Sequence, residues 1–142
     1  MELQFDFKAD IEAIAPVVQR VSELALELGC EPGRELQLSL ALQEALANAV
    51  IHGSNNDAAR TVECRVSYAE AAPGSKPHDI LIVIRDSGPG FDPAAVPSPK
   101  TGENIHADHG RGLYLIRELM DEVSFARNGT ELRMRAVLSK LR

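Results

Sequence analysis

Glu44, Asn48 and His52 recur at intervals of four residues within Gln43-Glu44-Ala45-Leu46-Ala47-Asn48-Ala49-Val50-Ile51-His52, so on a helix all three side chains stand on one stripe. The stripe is polar in an otherwise apolar segment. Ala41, Ala45 and Ala49 flank it with small side chains that leave room for something bulky. Asn is disfavoured inside helices because its amide competes for backbone hydrogen bonds, whereas its carbonyl oxygen suits a hard cation. A Glu one turn away could orient or deprotonate a hydroxyl. A solvent-facing strip on an amphipathic helix would use the same residue types.

Two glycine-bearing stretches offer complementary chemistry. In Asp86-Ser87-Gly88-Pro89-Gly90 the glycines let a ligand approach the backbone, while Asp86 can accept from a donor such as an amino group. A tight turn capped by the Asp accounts for the same residues. In His109-Gly110-Arg111-Gly112-Leu113 two glycines at a helix start leave N–H groups and a favourable dipole end for phosphate oxygens, and Arg111 adds fixed positive charge. A flexible hinge before a helix would also use this pair. Neither a dinucleotide fingerprint nor a Walker A loop is present, since the third Gly is missing and no GxxxxGK[ST] occurs.

These residues need elements to hold them. Leu3, Phe5 and Phe7 alternate with polar residues, as in a short strand with one buried face. From Ile14 the spacing of Val17, Val18, Val21, Leu24, Ala25 and Leu28 predicts a helix ending at Gly29, with Pro16 in its first turn. A second helix, central and largely buried, is expected over about Arg34 to Val50, closing near His52-Gly53. Val62, Cys64, Val66 and Tyr68 alternate as a strand. Ile80 to Ile84 is a continuous apolar run expected of a central strand covered on at least one face, with both faces covered as the fuller alternative. From Phe91 to His109 no period emerges, and a structureless stretch of that length reads as a lid, about 91–109. A third helix should start within Gly110-Arg111-Gly112, followed by strands Val123 to Ala126 and Glu131 to Leu138 around the Asn128-Gly129 turn. The order predicts a single α+β domain over 1–142: a two-layer sandwich of a mixed, mostly antiparallel sheet with helices on one face.

Composition narrows the partners. The 142 residues are 44% hydrophobic and 25% charged but only 4% aromatic, so aliphatic side chains must fill one core. A net charge of -6 with no basic run longer than two residues argues against nucleic acid and anionic membrane as direct partners. No apolar stretch approaches the roughly 18 to 20 residues of a membrane span. Nothing at the N-terminus resembles a secretory signal. Cys30 and Cys64 stand alone, without metal-ligand spacing, and read as buried thiols in a reducing cytoplasm.

Taken together, helical E-x-x-x-N, a buried strand running into DxGxG, a long lid, and GxG opening a helix resemble the N, G1 and G2 boxes of the GHKL ATPase superfamily, which includes gyrase, MutL and histidine kinases. Within it the chain looks most like the anti-sigma factor serine kinases of the RsbW and SpoIIAB type. The stretches from Glu44 to Gly53 and from His109 to Val123 carry that likeness, which extends over essentially the whole chain.

The resemblance implies the Bergerat ATP-binding fold, with ATP and Mg²⁺ as cofactors. Asn48 would coordinate Mg²⁺, and Glu44 would be the general base on an acceptor serine. Asp86 would accept from the adenine amino group with Thr130 nearby, and Gly88 and Gly90 would make room for the base. Gly110, Arg111 and Gly112 would close over the phosphates, with Leu113 beside the nucleotide and His52 lining the pocket. The implied activity is that of a cytoplasmic protein serine/threonine kinase that phosphorylates a STAS-domain anti-anti-sigma partner and sequesters a sigma factor or other effector. Two other readings are a non-catalytic nucleotide-binding module that only holds a partner, and the catalytic half of a two-component histidine kinase. Against the latter, residues 1–32 supply a strand and a helix rather than a hairpin bearing a phosphoacceptor His. Related kinases dimerise through the opening strand and first helix. Ile14, Val18 and Val21 could serve a homodimer there, or pack on the chain's own core.

Overall fold

The computed structural model describes residues 1–54, 57, 59–70, 72–88, 108–139 and 141–142, with backbone alone at 108–111. These residues form five strands and three α-helices: β1 (Glu2–Lys8), α1 (Ile14–Glu27), α2 (Pro32–Asn48), β2 (Thr61–Ser67), β3 (Asp79–Asp86), α3 (Asp108–Leu119), β4 (Glu122–Ala126) and β5 (Glu131–Val137). The strands make one sheet in the order β1-β2-β3-β5-β4. The α+β sandwich expected from the sequence is present. The sheet, however, is antiparallel at every pairing rather than mixed, because hairpins join β2 to β3 and β4 to β5 and no β-α-β crossover returns a strand beside its predecessor in parallel.

Alternation decides which face is buried. Val62, Cys64 and Val66, then Ile80, Ile82 and Ile84, then Leu132, Met134 and Ala136 enter the core that also holds Leu38, Leu42, Leu46 and Ile116 of the helices. Between them Leu81 is 37% exposed. The apolar run in β3 is therefore covered on one face, as the minimum expectation had it, and the alternative of two covered faces is corrected: the helices all lie on one side, and the other face carries charged side chains. Pro32 at the start of α2 fixes its entry, and Gly29 takes a φ of +91° to end the preceding helix run. Ile14 and Val21 are buried in the chain's own core. Cys30 and Cys64 are both buried and free, and burial pushes the Cys64 thiol up to about 12, so neither is a reactive thiolate.

Two boundaries differ from expectation. The third helix begins at Asp108, before the glycine pair, so Gly110 and Gly112 lie inside its first two turns rather than opening it. The lid assigned to about 91–109 falls outside the described residues except for its last two, which are helical.

The C-terminal half is locked to α2 by a buried arginine. Arg34 is 1% exposed, yet its guanidinium donates to Val137 O at 2.9 Å, Leu119 O at 2.6 Å and Asp121 Oδ2 at 2.7 Å. One side chain thus ties the first turn of α2 to the end of α3 and to β5. Burial opposes ionisation of Asp121, but the Val137 N–H and the Arg34 and Arg142 guanidiniums hold its carboxyl below the usual range. Arg34→Ala would leave that carboxylate and two carbonyls without their partner, and denaturant unfolding should show a loss of about 3–5 kcal/mol. Asp121 contributes stability above its unfolded pKa that is lost as pH falls through the lower folded value, so Asp121→Asn should remove part of the acid sensitivity.

Candidate active site

The largely buried helix α2 sets the polar stripe at the edge of the core, with Glu44 and Asn48 half-buried. Leu38, Ala41, Leu42, Ala45 and Leu46 pack against the sheet and the neighbouring helices, which leaves Glu44 and Asn48 facing α3. There the helices touch through Gly112. A Cβ placed on that glycine would lie 3.2 Å from Asn48 Nδ2, 3.3 Å from Asn48 Oδ1 and 3.4 Å from Glu44 Oε2. Glycine costs roughly 1 kcal/mol inside a helix relative to alanine; here it lets α3 pass directly over the two polar side chains.

Asn48 ends the regular part of α2. The next turn, Ala49–Gly53, is a π-helix in which Ser54 N donates to Ala49 O at 2.8 Å, a five-residue closure. Such wide turns recur at functional sites. The widening shifts His52 off the strict four-residue stripe, and it stands exposed on a second cavity with Glu44 and Asn48. It also leads the chain to Gly53, whose Cβ, if present, would overlap the Asp86 carboxylate.

Asp86 ends β3 and is held from two sides. Its N–H donates to Thr130 O at 2.9 Å, and its Oδ1 accepts from Gly88 N at 2.8 Å. A Cβ on Gly88 would collide with the Gly53 carbonyl oxygen, so backbone approach requires the glycine at 88 while the Asp86 carboxylate requires the one at 53. Burial raises the Asp86 pKa, against the Gly88 hydrogen bond and the Arg60 charge. Arg60 also donates to Ser87 O at 3.0 Å, bracing the turn.

These groups border two cavities. One is lined by Asn48, Asp86, Leu113 and Thr130 from the sequence-derived set, together with Ala45, Ala49, Gly53, Ile84, Phe125, Gly129 and Leu132. Its free volume is about 30 Å³, room for one or two waters, so a purine enters only as the walls give. The other cavity, about 410 Å³, is lined by Glu44, Ala47, Asn48, Ile51, His52, Tyr114 and Leu115. Asn48 borders both. Gly110 and Arg111 lie in the first turn of α3, the Arg111 side chain outside the described residues; Gly90 is also outside them. Sequence reasoning did not single out Gly53, Gly129 or Arg60. A glycine directly after the helical stripe was the available signal for Gly53; for Arg60 there was none.

Asn48 Nδ2 is buried without a hydrogen-bond partner among the described residues. Such an orphan costs about 1–3 kcal/mol unless a ligand satisfies it. A phosphate oxygen would do so, or, with the amide turned over, its carbonyl would face a cation. No cluster of three His, Cys, Asp or Glu able to hold a metal occurs among the described residues. A divalent ion here would therefore take most of its ligands from phosphate and water, which suits Mg²⁺. The residues fit a nucleotide and its metal.

A model of the histidine kinase-like ATPase domain matches residues 7–136. The chain belongs to the histidine kinase-like ATPase (GHKL) family. It is similar to the anti-sigma F factor of Geobacillus stearothermophilus, 27% identical over 126 residues that span 87% of this chain and 80% of that protein. It is also similar to those of Geobacillus kaustophilus, 26% identical over 99% of this chain and 93% of the relative, and Geobacillus thermodenitrificans, 27% identical over the same shares. Membership of this ATPase family implies ATP binding. No helix among the described residues is long and apolar enough to cross a membrane.

Asp86 exposes a cost of building such a pocket. Its raised pKa means that the ionised form is destabilised by folding, so its contribution to stability declines as pH rises from the ordinary carboxylate value through the folded one. Asp86→Asn can keep the Gly88 hydrogen bond through its amide oxygen. It should raise the ligand-free melting temperature at pH 7 and flatten the stability profile in that window; a lower melting temperature would contradict this origin of the shift.

Proposed function

We propose that this protein is an ATP- and Mg²⁺-dependent protein serine kinase and anti-sigma factor of a cytoplasmic partner-switching system, acting on a serine of a STAS-domain anti-anti-sigma partner. The carrying observation is that Asn48 borders two cavities, one reaching Asp86 and Thr130 and the other reaching Glu44 and His52. A nucleotide and a protein hydroxyl could thus approach the same point from different sides. The similarity to anti-sigma F factors supports the regulatory half of the reading.

In this reading Asp86 accepts from the adenine amino group, with Thr130 beside it and Gly88 and Gly90 leaving space for the ring. Leu113 packs against the nucleotide. Asn48 holds Mg²⁺ at the phosphates, and Gly110, Arg111 and Gly112 flank them at the N-terminal end of α3. Bound Mg²⁺ would neutralise phosphate charge and orient the transferred group. Glu44 stands in the larger cavity, placed to take the proton from an acceptor serine as its oxygen attacks, and His52 lines the same entrance. A module that merely holds a partner would have no use for a carboxylate beside Asn48 at the mouth of the larger cavity, which favours the kinase over the non-catalytic alternative.

Two substitutions separate the roles. Asn48→Ala should abolish Mg²⁺-dependent nucleotide binding in calorimetry while the circular dichroism spectrum is unchanged. Glu44→Gln should retain ATP affinity but slow transfer of labelled phosphate to a STAS partner by about 10²–10⁴-fold. If the wild-type protein binds such a partner and ATP without any transfer, the non-catalytic reading replaces this one.

A further inference from the structure

The sheet face that carries no helices holds a carboxylate that the proposed reaction does not use. Glu131 is 1% exposed although it lies on the open side. Its Oε1 accepts from Arg85 Nε, its Oε2 accepts from Arg133 Nε at 2.8 Å, and Arg127 Nε lies 3.9 Å from Oε1. Three guanidiniums thus cover one carboxylate. Arg85 and Glu131 are direct cross-strand partners of β3 and β5.

Alternation connects this cluster to the pocket on the other face. Ile84 and Asp86 flank Arg85, Thr130 and Leu132 flank Glu131, and all four of those neighbours line the cavity that contains Asp86. The ion cluster and the pocket wall are opposite sides of the same two strand ends. The turn that closes the wall is unusual as well: Arg127, Asn128 and Gly129 have φ values of 52°, 57° and 83°. For the first two, which carry side chains, that conformation is disfavoured and must be held in place. Thr130 holds it from one side, its N–H and hydroxyl donating to Arg127 O at 3.2 and 2.7 Å. The Arg127 guanidinium beside Glu131 holds it from the other.

We propose that Glu131 is a positioning residue for base recognition: from behind the sheet its carboxylate fixes Arg85, and with it Asp86, against the Arg127–Thr130 turn. The proposal rests on the reading that this cavity takes adenine. Spending the Thr130 hydroxyl proton on Arg127 O leaves its lone pairs as acceptors toward the pocket, complementary to an amino group or a bridging water. Without Glu131 three like charges would face one another, and the two strand ends that carry the recognition groups would separate.

The test measures ATP and GTP affinities by calorimetry, with melting temperatures, for wild type, Glu131→Gln, Glu131→Asp and Arg85→Gln. Glu122→Gln, on the same face but at the far end of β4 and paired with Arg135, is the surface control. Glu131→Gln should weaken ATP binding about tenfold, the scale of one lost hydrogen bond or more, and shrink the preference for ATP over GTP. Glu131→Asp should recover part of both, and the control should match wild type. Arg85→Gln removes one contact only and should shift the preference in the same direction, which keeps the idea testable if Glu131→Gln fails to fold. A drop in melting temperature with the ATP-to-GTP ratio unchanged would mean that Glu131 is structural only. Wild type that binds no ATP would overturn the adenine reading and this role with it.

Discussion

A helix that must be buried and must also carry polar side chains is the constraint around which this molecule is arranged. α2 lies on the sheet between α1 and α3, and Leu38, Leu42 and Leu46 are almost wholly removed from water. Glu44 and Asn48, both half-buried, stand on the side that α3 passes over. The solution is to thin α3 at Gly112 and to open cavities on either side of Asn48. A side chain at Gly112 would sit closer to Asn48 than ordinary contact, so that the Asn48 amide would have to give by a few tenths of an ångström. The apolar burial that stabilises the fold, at about 25 cal/mol per Å², therefore also lowers the dielectric around Asn48, and charges brought there in the proposed reaction would interact more strongly than in water.

The π-turn after Asn48 follows from the same constraint. A continued α-helix would carry His52 along the stripe of Glu44 and Asn48 and point Gly53 elsewhere. The wider turn instead ends at Ser54 and brings the Gly53 backbone against Asp86 and Gly88. The N-terminal helix layer and the central strand thus meet at backbone contacts that admit no side chain. The end of α2, the end of β3 and α3 converge because glycines admit a neighbouring backbone at Gly88 and neighbouring side chains at Gly53 and Gly112.

Much of this was legible in the sequence, for identifiable reasons. Leu3-Phe5-Phe7 and Val62-Cys64-Val66 gave strands because one face is buried and the other wet, and the period-2 signal is strong in that case. The i+4 relation of Glu44 and Asn48 survived folding because a helix fixes it locally. The β3 run left the number of covered faces open for the opposite reason: Leu81 and Val83 are apolar on the open face, so periodicity could not reveal that only one side was covered. The start of α3 before its glycines was hidden because tertiary packing on Asn48 and Glu44 outweighs helix propensity. Gly129 and Arg60 enter the site through loop contacts that depend on the closed fold, and no spacing rule encodes those. Glu131 is the sharpest case. As a strand residue between Thr130 and Leu132 it reads as an exposed charge, and only the convergence of arginines from β3, β5 and the preceding turn buries it.

Asp86 and Glu131 show how an acidic protein can be arranged to accept an anion. Both carboxylates are withdrawn from water at the same end of the sheet, on opposite faces, yet their pKa values move in opposite directions. Burial raises Asp86, because one backbone N–H and the more distant Arg60 charge compensate it incompletely. Burial would raise Glu131 too, but hydrogen bonds from Arg85 and Arg133 hold it below the carboxylate range. The acid behind the sheet is thus satisfied by the protein, and the acid in the pocket is left with unmet acceptor capacity. A ligand that brings a hydrogen-bond donor to Asp86 recovers that deficit, whereas an anionic group there would add to it. In the proposed reading this polarity favours one orientation of the nucleotide, with its amino-bearing base at Asp86 and its phosphates toward Asn48 and the N-terminal end of α3. The net charge of -6 repels the ligand as a whole, so its binding depends on this internal polarity rather than on attraction from a distance.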